Sequence, residues 1–176
     1  QSNIRIGSQL HKVLQATQVF QRSLCDGCEK KIRKKNDREF IKQIMSKSVT
    51  NHLYGMTGDE KSDWLGKLGF LLRKMVNIYK DTDSKYYQQI CQIYKEHYTE
   101  TGDKDQPSRP KDKDEMKAGG LQSMHDPDAT YRAKGRGTNR QQVSGYSSNI
   151  TETTEGELRL ITDVQVENAT QSDSNY

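Results

Sequence analysis

Ten residues in the C-terminal half of the chain, Tyr131 to Arg140, carry four cationic side chains and no acid. The cations are Arg132, Lys134, Arg136 and Arg140. Two glycines lie among them, and glycine lets a backbone approach a partner closely. Cations on a flexible loop suit contacts to phosphate groups, which hold a nucleic acid without reading its sequence. We therefore predict that these four residues bind DNA, with a loop that contacts only solvent as the alternative.

A second basic run lies near the N-terminus. It contains Lys30, Lys31, Arg33, Lys34 and Lys35. Here a charged surface that contacts only water is the favoured interpretation, because charge runs in soluble proteins are usually solvated.

Cysteine and histidine give weaker indications of chemistry. Cys25 and Cys28 have the spacing of zinc and redox motifs. A structural zinc site needs four ligands, and no second pair follows; the flanks look helical, whereas a redox motif expects a βαβ unit. The four histidines are too far apart to form a pair on one helical turn. The sequence contains no phosphate-binding P-loop and no serine nucleophile elbow. We therefore predict no catalytic and no metal-binding residue.

The elements that would position these residues begin with four amphipathic helices. Apolar residues recur every three or four positions in each. The first covers about Ser8 to Leu24. The second begins after a cap at Asn36 or Asp37, has Val49 on its apolar face, and ends at Gly55 and Gly58. The third covers Ser62 to about Tyr79, and the fourth carries Tyr86 to Tyr98 after a turn and cap at Asp81 and Asp83. The interpretation is a helical segment over residues 1–101 whose aromatic and methionine side chains form its core.

The pattern changes towards the C-terminus. Residues 102–142 read as a flexible, charged and basic linker. Val143 to Thr153 and Leu158 to Glu167 then alternate with a period of two around a turn at Glu155–Gly156, which predicts a β-hairpin over residues 143–176. The fold class is therefore α+β. A hairpin alone is only marginally stable, and no further strand is recognisable, so we expect its neighbouring strands to lie outside these residues.

Composition limits the alternatives. Of 176 residues, 31% are hydrophobic and 30% charged, against about 45–50% apolar in a typical soluble domain. No apolar run reaches the ~20 residues that a membrane span needs, and no signal peptide is recognisable, so we expect a soluble, cytoplasmic protein without a membrane partner. The chain begins at Gln1 and ends without a closing element, which we interpret as a fragment.

Charge is unevenly distributed. Residues 141–176 contain six acids and one base, a net charge of −5; subtracting this from the total of +4 leaves +9 for residues 1–140. A basic body of this kind is typical of proteins that bind nucleic acid, although it also keeps a protein in solution.

Three stretches occur in an order that resembles the middle of DDE transposases from bacterial insertion sequences. A box of Asp126-Pro127-Asp128-Ala129 precedes the basic loop. A strand beginning Gly145-Tyr146 and the stretch from Leu160 to Thr170 follow, with Asp173 after them. The segment from Asn3 to Leu24 is similar to the stretch after the first strand of that family.

The resemblance implies a ribonuclease-H-like mixed sheet in which residues 1–101 are a helical insertion after the first strand. It implies two-metal phosphoryl transfer on DNA, with Mg²⁺ or Mn²⁺ held by three carboxylates. Those acids map before Gln1 and after Tyr176, so this chain alone is expected to be inactive and to hold no ion. The implied partners are transposon ends, target DNA and further copies of the full-length protein.

Asp126 and Asp128 are expected to brace a turn through their side chains, and Asp173 to cap the next helix. The alternative function is a stand-alone helical protein that binds nucleic acid or acts as an adaptor, without catalysis.

Overall fold

The computed structural model describes residues 3–24, 31–104, 106–116, 120–134, 141–153 and 160–168. The chain divides into two compact units, residues 1–120 and 121–176. The first unit is mainly helical and the second is a small antiparallel sheet. The predicted α+β class is therefore confirmed.

The first unit contains five helices where the sequence predicted four. They are α1 (Asn3–Ser23), α2 (Lys35–Met45), α3 (Val49–Leu53), α4 (Gly58–Ile78) and α5 (Lys85–His97). The predicted second helix is two helices, because Ser48 starts a new one: its hydroxyl accepts a hydrogen bond from the Asn51 N–H at 3.3 Å. Serine at this position satisfies a backbone donor that the helix itself leaves unpaired.

Several predicted helix boundaries are wrong. The first helix begins at Asn3 and not at about Ser8. Position 34, a lysine without a capping hydrogen bond, precedes α2, so neither Asn36 nor Asp37 is its cap. Gly58 begins α4 rather than ending a helix, because Thr57 and Glu60 form a capping box. The cap of α5 is Ser84, whose hydroxyl accepts from the Tyr86 N–H at 3.3 Å, and not an aspartate.

The core of the helical unit is built around α1, which packs against α3, α4 and α5. The residues that recur at helical spacing on one side of α1 are buried, as this period predicts; they comprise Leu10, Val13, Leu14, Thr17 and Phe20. Phe20 meets Tyr79 edge to face with ring centroids 5.5 Å apart. The α4 face is also buried as predicted, at Leu65, Leu68, Leu71, Leu72 and Met75.

A short hairpin follows α5. Strand β1 (Tyr98–Glu100) pairs antiparallel with β2 (Ser108–Pro110), and a 3₁₀ turn covers Lys113–Glu115. β2 lies in the segment expected to be a structureless linker. Its three residues have no apolar period that would reveal a strand, and backbone pairing with β1 creates it.

The second unit contains β3 (Thr130–Lys134), β4 (Gln141–Glu152) and β5 (Ile161–Asn168) in the order β3–β4–β5, with both pairings antiparallel. The predicted hairpin is confirmed as β4 and β5; its turn lies outside the described residues. The expectation that the chain holds no further strand is wrong, because β3 pairs with β4. Three of its five residues are polar, so its sequence reads as a loop.

Candidate nucleic-acid interface

Two of the four predicted DNA-binding residues lie in β3. Arg132 stands opposite Val143 and Lys134 opposite Gln141 in the register with β4. The structure therefore places these two cationic positions on a strand rather than on a flexible loop. Arg136 and Arg140 lie outside the described residues.

The strand β4 divides its length between two partners. Residues 141–145 pair with β3 and residues 146–152 pair with β5. The boundary falls at Gly145, whose φ of 143° belongs to a region that essentially only glycine occupies. Within the described residues the sheet is thus two strands wide at every point along β4.

The β4–β5 ribbon has one polar and one apolar face. Ser147, Asn149 and Thr151 stand opposite Glu167, Gln165 and Asp163 on the polar face. On the other face Ile150 stands opposite Val164. Exposure on this apolar face is 45–64%, at Tyr146, Ile150, Val164 and Val166. Nothing in the described residues covers it.

The Asp126 carboxylate connects the acidic box to this ribbon. The Tyr146 hydroxyl donates a hydrogen bond to Asp126 Oδ1 at 2.7 Å. Losing the Tyr146 proton would place two negative charges in contact, so this bond raises the pKa of Tyr146 to about 12, with burial and the charge of Asp128 adding to it. A turn is present here in the backbone, where the Ala129 N–H donates to the Asp126 carbonyl at 3.4 Å, but the hydrogen bond of the Asp126 side chain is to Tyr146 on β4 and not to the turn.

The carboxylates in the described part of the chain do not fit a divalent-ion site. No three His, Cys, Asp or Glu residues come together there. The Asp126 carboxylate is engaged by Tyr146, and that of Asp163 by the amide of Gln165 at 2.8 Å. Asp173 lies outside the described residues.

Cys91, His52 and His97, which are among the cysteine and histidine candidates from the sequence, belong to the helical unit. Cys25 and Cys28 lie outside the described residues, and Cys91 is a half-buried free thiol. The buried His52 ring hydrogen-bonds the Ile44 carbonyl at 2.9 Å. His97 is 3% exposed; burial and the cations nearby lower its pKa to about 4.

The second basic run is mostly solvated, as expected. Arg33, Lys34 and Lys35 are exposed, and Lys35 lies 3.9 Å from Glu39. Lys31 stands over the Tyr79 ring, 5.6 Å from its centroid. Lys30 is outside the described residues.

Sequence analysis missed one cationic groove, which lies between the end of α1 and α2. Its volume is about 530 Å³; its lining residues are Gln21, Arg22, Leu24, Arg38, Ile41, Lys42 and Met45. The spacing of four between Arg38 and Lys42 was a usable signal, since it places both on one side of a helix. Arg22, the third cation, is far from Arg38 and Lys42 in the sequence, so its position beside them could not be predicted.

No helix in the described residues combines the length and apolar character needed to cross a membrane. No known protein family, curated protein or solved structure matches this chain.

Proposed function

We propose that this chain is part of the catalytic domain of a DDE-type DNA transposase, similar to those of bacterial insertion sequences. In this proposal β3 contacts the phosphodiester backbone of DNA. The support from sequence is the order of the acidic box, the basic stretch, the strand beginning Gly145-Tyr146 and the stretch from Leu160 onwards.

The observation that carries the proposal is the β4–β5 ribbon with its uncovered apolar face. A ribbon two strands wide is marginally stable, and further strands or a helix on its apolar face would stabilise it. A ribonuclease-H-like sheet, which has additional strands and helices on its faces, supplies both. The alternation of apolar and polar residues across the ribbon supports the same placement.

The residues of this chain then have a positioning role. Arg132 and Lys134 hold DNA through its phosphates, a contact that fixes register without reading bases. Asp126 holds Tyr146 and thereby ties the acidic box to β4. The carboxylates that bind the divalent ions belong, by the resemblance, to sequence before Gln1 and after Tyr176.

Neutralising β3 tests the DNA contact. In the variant with Arg132→Gln and Lys134→Gln, binding of a short fluorescein-labelled duplex should weaken alike for unrelated sequences. The slope of log K against log salt should become shallower by about 0.9 for each phosphate that the variant no longer neutralises. Fluorescence anisotropy across a salt series measures both quantities.

The matched control neutralises Lys85 and Lys95, two exposed cations of α5, and removes the same charge. An unchanged salt slope in the β3 variant, or an equal loss of affinity in the control, would contradict a specific contact by β3.

The family assignment has a separate test in the gene. The reading frame just before Gln1 should encode an aspartate at the end of a strand, and a second should follow a helix after Tyr176. In the complete protein, Asp→Asn at either should abolish strand transfer while leaving DNA binding intact. A reading frame without these acids would remove the transposase proposal.

The separate core of the helical unit favours a second candidate, a helical nucleic-acid-binding module without catalysis. In that case neutralising β3 would leave DNA binding unchanged, and the helical unit would account for all of it.

A further inference from the structure

We propose that the groove between α1 and α2 is a second DNA-contacting surface, which takes the phosphodiester backbone. The three cations Arg22, Arg38 and Lys42 line this groove and define what we name the α1–α2 groove. It lies within the helical unit, so this proposal depends neither on β3 nor on the transposase assignment; it shares with them only the class of partner.

Among the residues that the structure describes, the α1–α2 groove carries positive charge without acids. All three cations are exposed, and none forms an ion pair with a residue that the structure describes. No described acid lines the groove. Exposed cations left without acidic neighbours raise the local concentration of anions.

The two other large cavities of the helical unit are different. One, beside α5, contains Glu96 and Glu115 among its lining residues. The other, between α2 and α4, contains Asp37, whose carboxylate binds Lys74 with both oxygens at 2.7 Å. The α1–α2 groove differs from these two cavities in having no described acid in its lining.

The groove places cations on two walls. Arg38 and Lys42 are one helical turn apart on α2, a rise of about 6 Å, and Arg22 belongs to the last turn of α1. Leu24, Ile41 and Met45 are half-buried between them. Cations on the rim and carbon at the floor suit a sugar–phosphate chain, because guanidinium groups bind phosphate oxygens in pairs.

A simpler role exists for two of the cations. Arg22 and Lys42 lie in the last turns of α1 and α2, where a positive charge favours any helix. Arg38 lies in the first half of α2, so the helix dipole gives no reason for a cation there. Arg38 is therefore the most informative of the three positions.

DNA fits the groove better than a membrane surface does. A helix that binds a membrane needs a free apolar face, but Ile44 of α2 is fully buried in the helical unit. The groove side of α2 is concave and carries the cations Arg38 and Lys42, which suit the negatively charged backbone of DNA.

The test uses the full chain with Arg22→Gln, Arg38→Gln and Lys42→Gln. Anisotropy with a labelled duplex should show affinity lower by roughly tenfold or more at low salt, and a salt slope shallower by roughly 2 to 3. Arg38→Gln alone should give about a third of the change in slope. The same titration with one labelled strand shows whether the groove takes the backbone from duplex or single-stranded DNA.

The control neutralises Lys85, Lys95 and Lys104, three exposed cations outside the groove. Equal weakening in the control, or an unchanged slope in the groove variant with its helical circular dichroism intact, would overturn the proposal. Loss of binding to anionic vesicles by the groove variant, with duplex and single-strand affinities unchanged, would overturn it in favour of a membrane surface. If the triple variant does not fold, Arg38→Gln alone decides.

Discussion

The His97 side chain is a buried titratable group of the helical unit whose pKa is lowered. It is 3% exposed at the end of α5, and burial favours its neutral form, with the nearby cations Lys12 and Lys111 acting in the same direction. The folded chain therefore resists protonation at His97 more strongly than the unfolded chain does.

This difference predicts a pH dependence of stability. His97 has a pKa of about 4 when folded and 6.5 as an ordinary histidine. Below pH 6.5 the unfolded state binds a proton that the folded state does not, so stability is full above this pH and falls towards pH 4. The loss should reach about 3 kcal/mol. Urea unfolding between pH 7.5 and pH 5 measures the part of this loss of stability that occurs above pH 5.

The comparison variant is His97→Gln, which should lower stability at every pH but flatten its dependence across this window. His11→Gln changes an exposed histidine of α1 and should keep the wild-type slope. A slope unchanged in His97→Gln would show that another group is responsible.

At the scale of elements, the contact between α4 and β1 depends on the absence of a side chain at Gly69. A Cβ built there would lie 2.6 Å from Cε1 and 2.8 Å from Cδ1 of Tyr98. The Tyr98 ring is held in place, because its hydroxyl donates to the Leu65 carbonyl at 2.8 Å and its face stacks on Tyr94. The ring is also 3% exposed, so it has little room to withdraw.

Gly69→Ala should therefore destabilise the protein by about 1–3 kcal/mol through overpacking. Gly66 is the matched control: it lies in the same helix with nothing within 4 Å of its Cβ position. Gly66→Ala should stabilise by about 0.5–1 kcal/mol, since alanine is the better helix former. Denaturant unfolding measures both, and a stabilising Gly69→Ala would contradict this packing.

Some of these elements could be predicted from the sequence and others could not, depending on whether the side chains that stabilise them form a regular pattern. The buried stripe of α1 was visible in the sequence because Leu10, Val13 and Phe20 repeat at helical spacing. Helix boundaries were not, because Ser48 and Thr57 compete with neighbouring polar residues that could also cap. β3 was missed because its stability comes from backbone pairing with β4, which leaves no alternation of side chains to read.

At the scale of the whole molecule, the sequence predicted an α+β chain with helices first and a hairpin last. Its candidate site was only partly predictable. Arg132 and Lys134 were found because they are close together in the chain, whereas the α1–α2 groove joins Arg22 to cations that folding alone brings near. The periodicity of a sequence predicts which face of a helix is buried, but not which residues of another helix lie beside it.

The divided pairing of β4 has a consequence for copies of this chain in crowded solution. Along each half of β4, only one strand of the described residues pairs with it. The backbone N–H and C=O groups on the other edge can therefore pair with a strand of another molecule. The exposed side chains of Ile150 and Val164 would add to the attraction. Glu152, Asp163 and Glu167 place like charges along the same ribbon. Charged side chains on an exposed strand oppose its pairing with another copy.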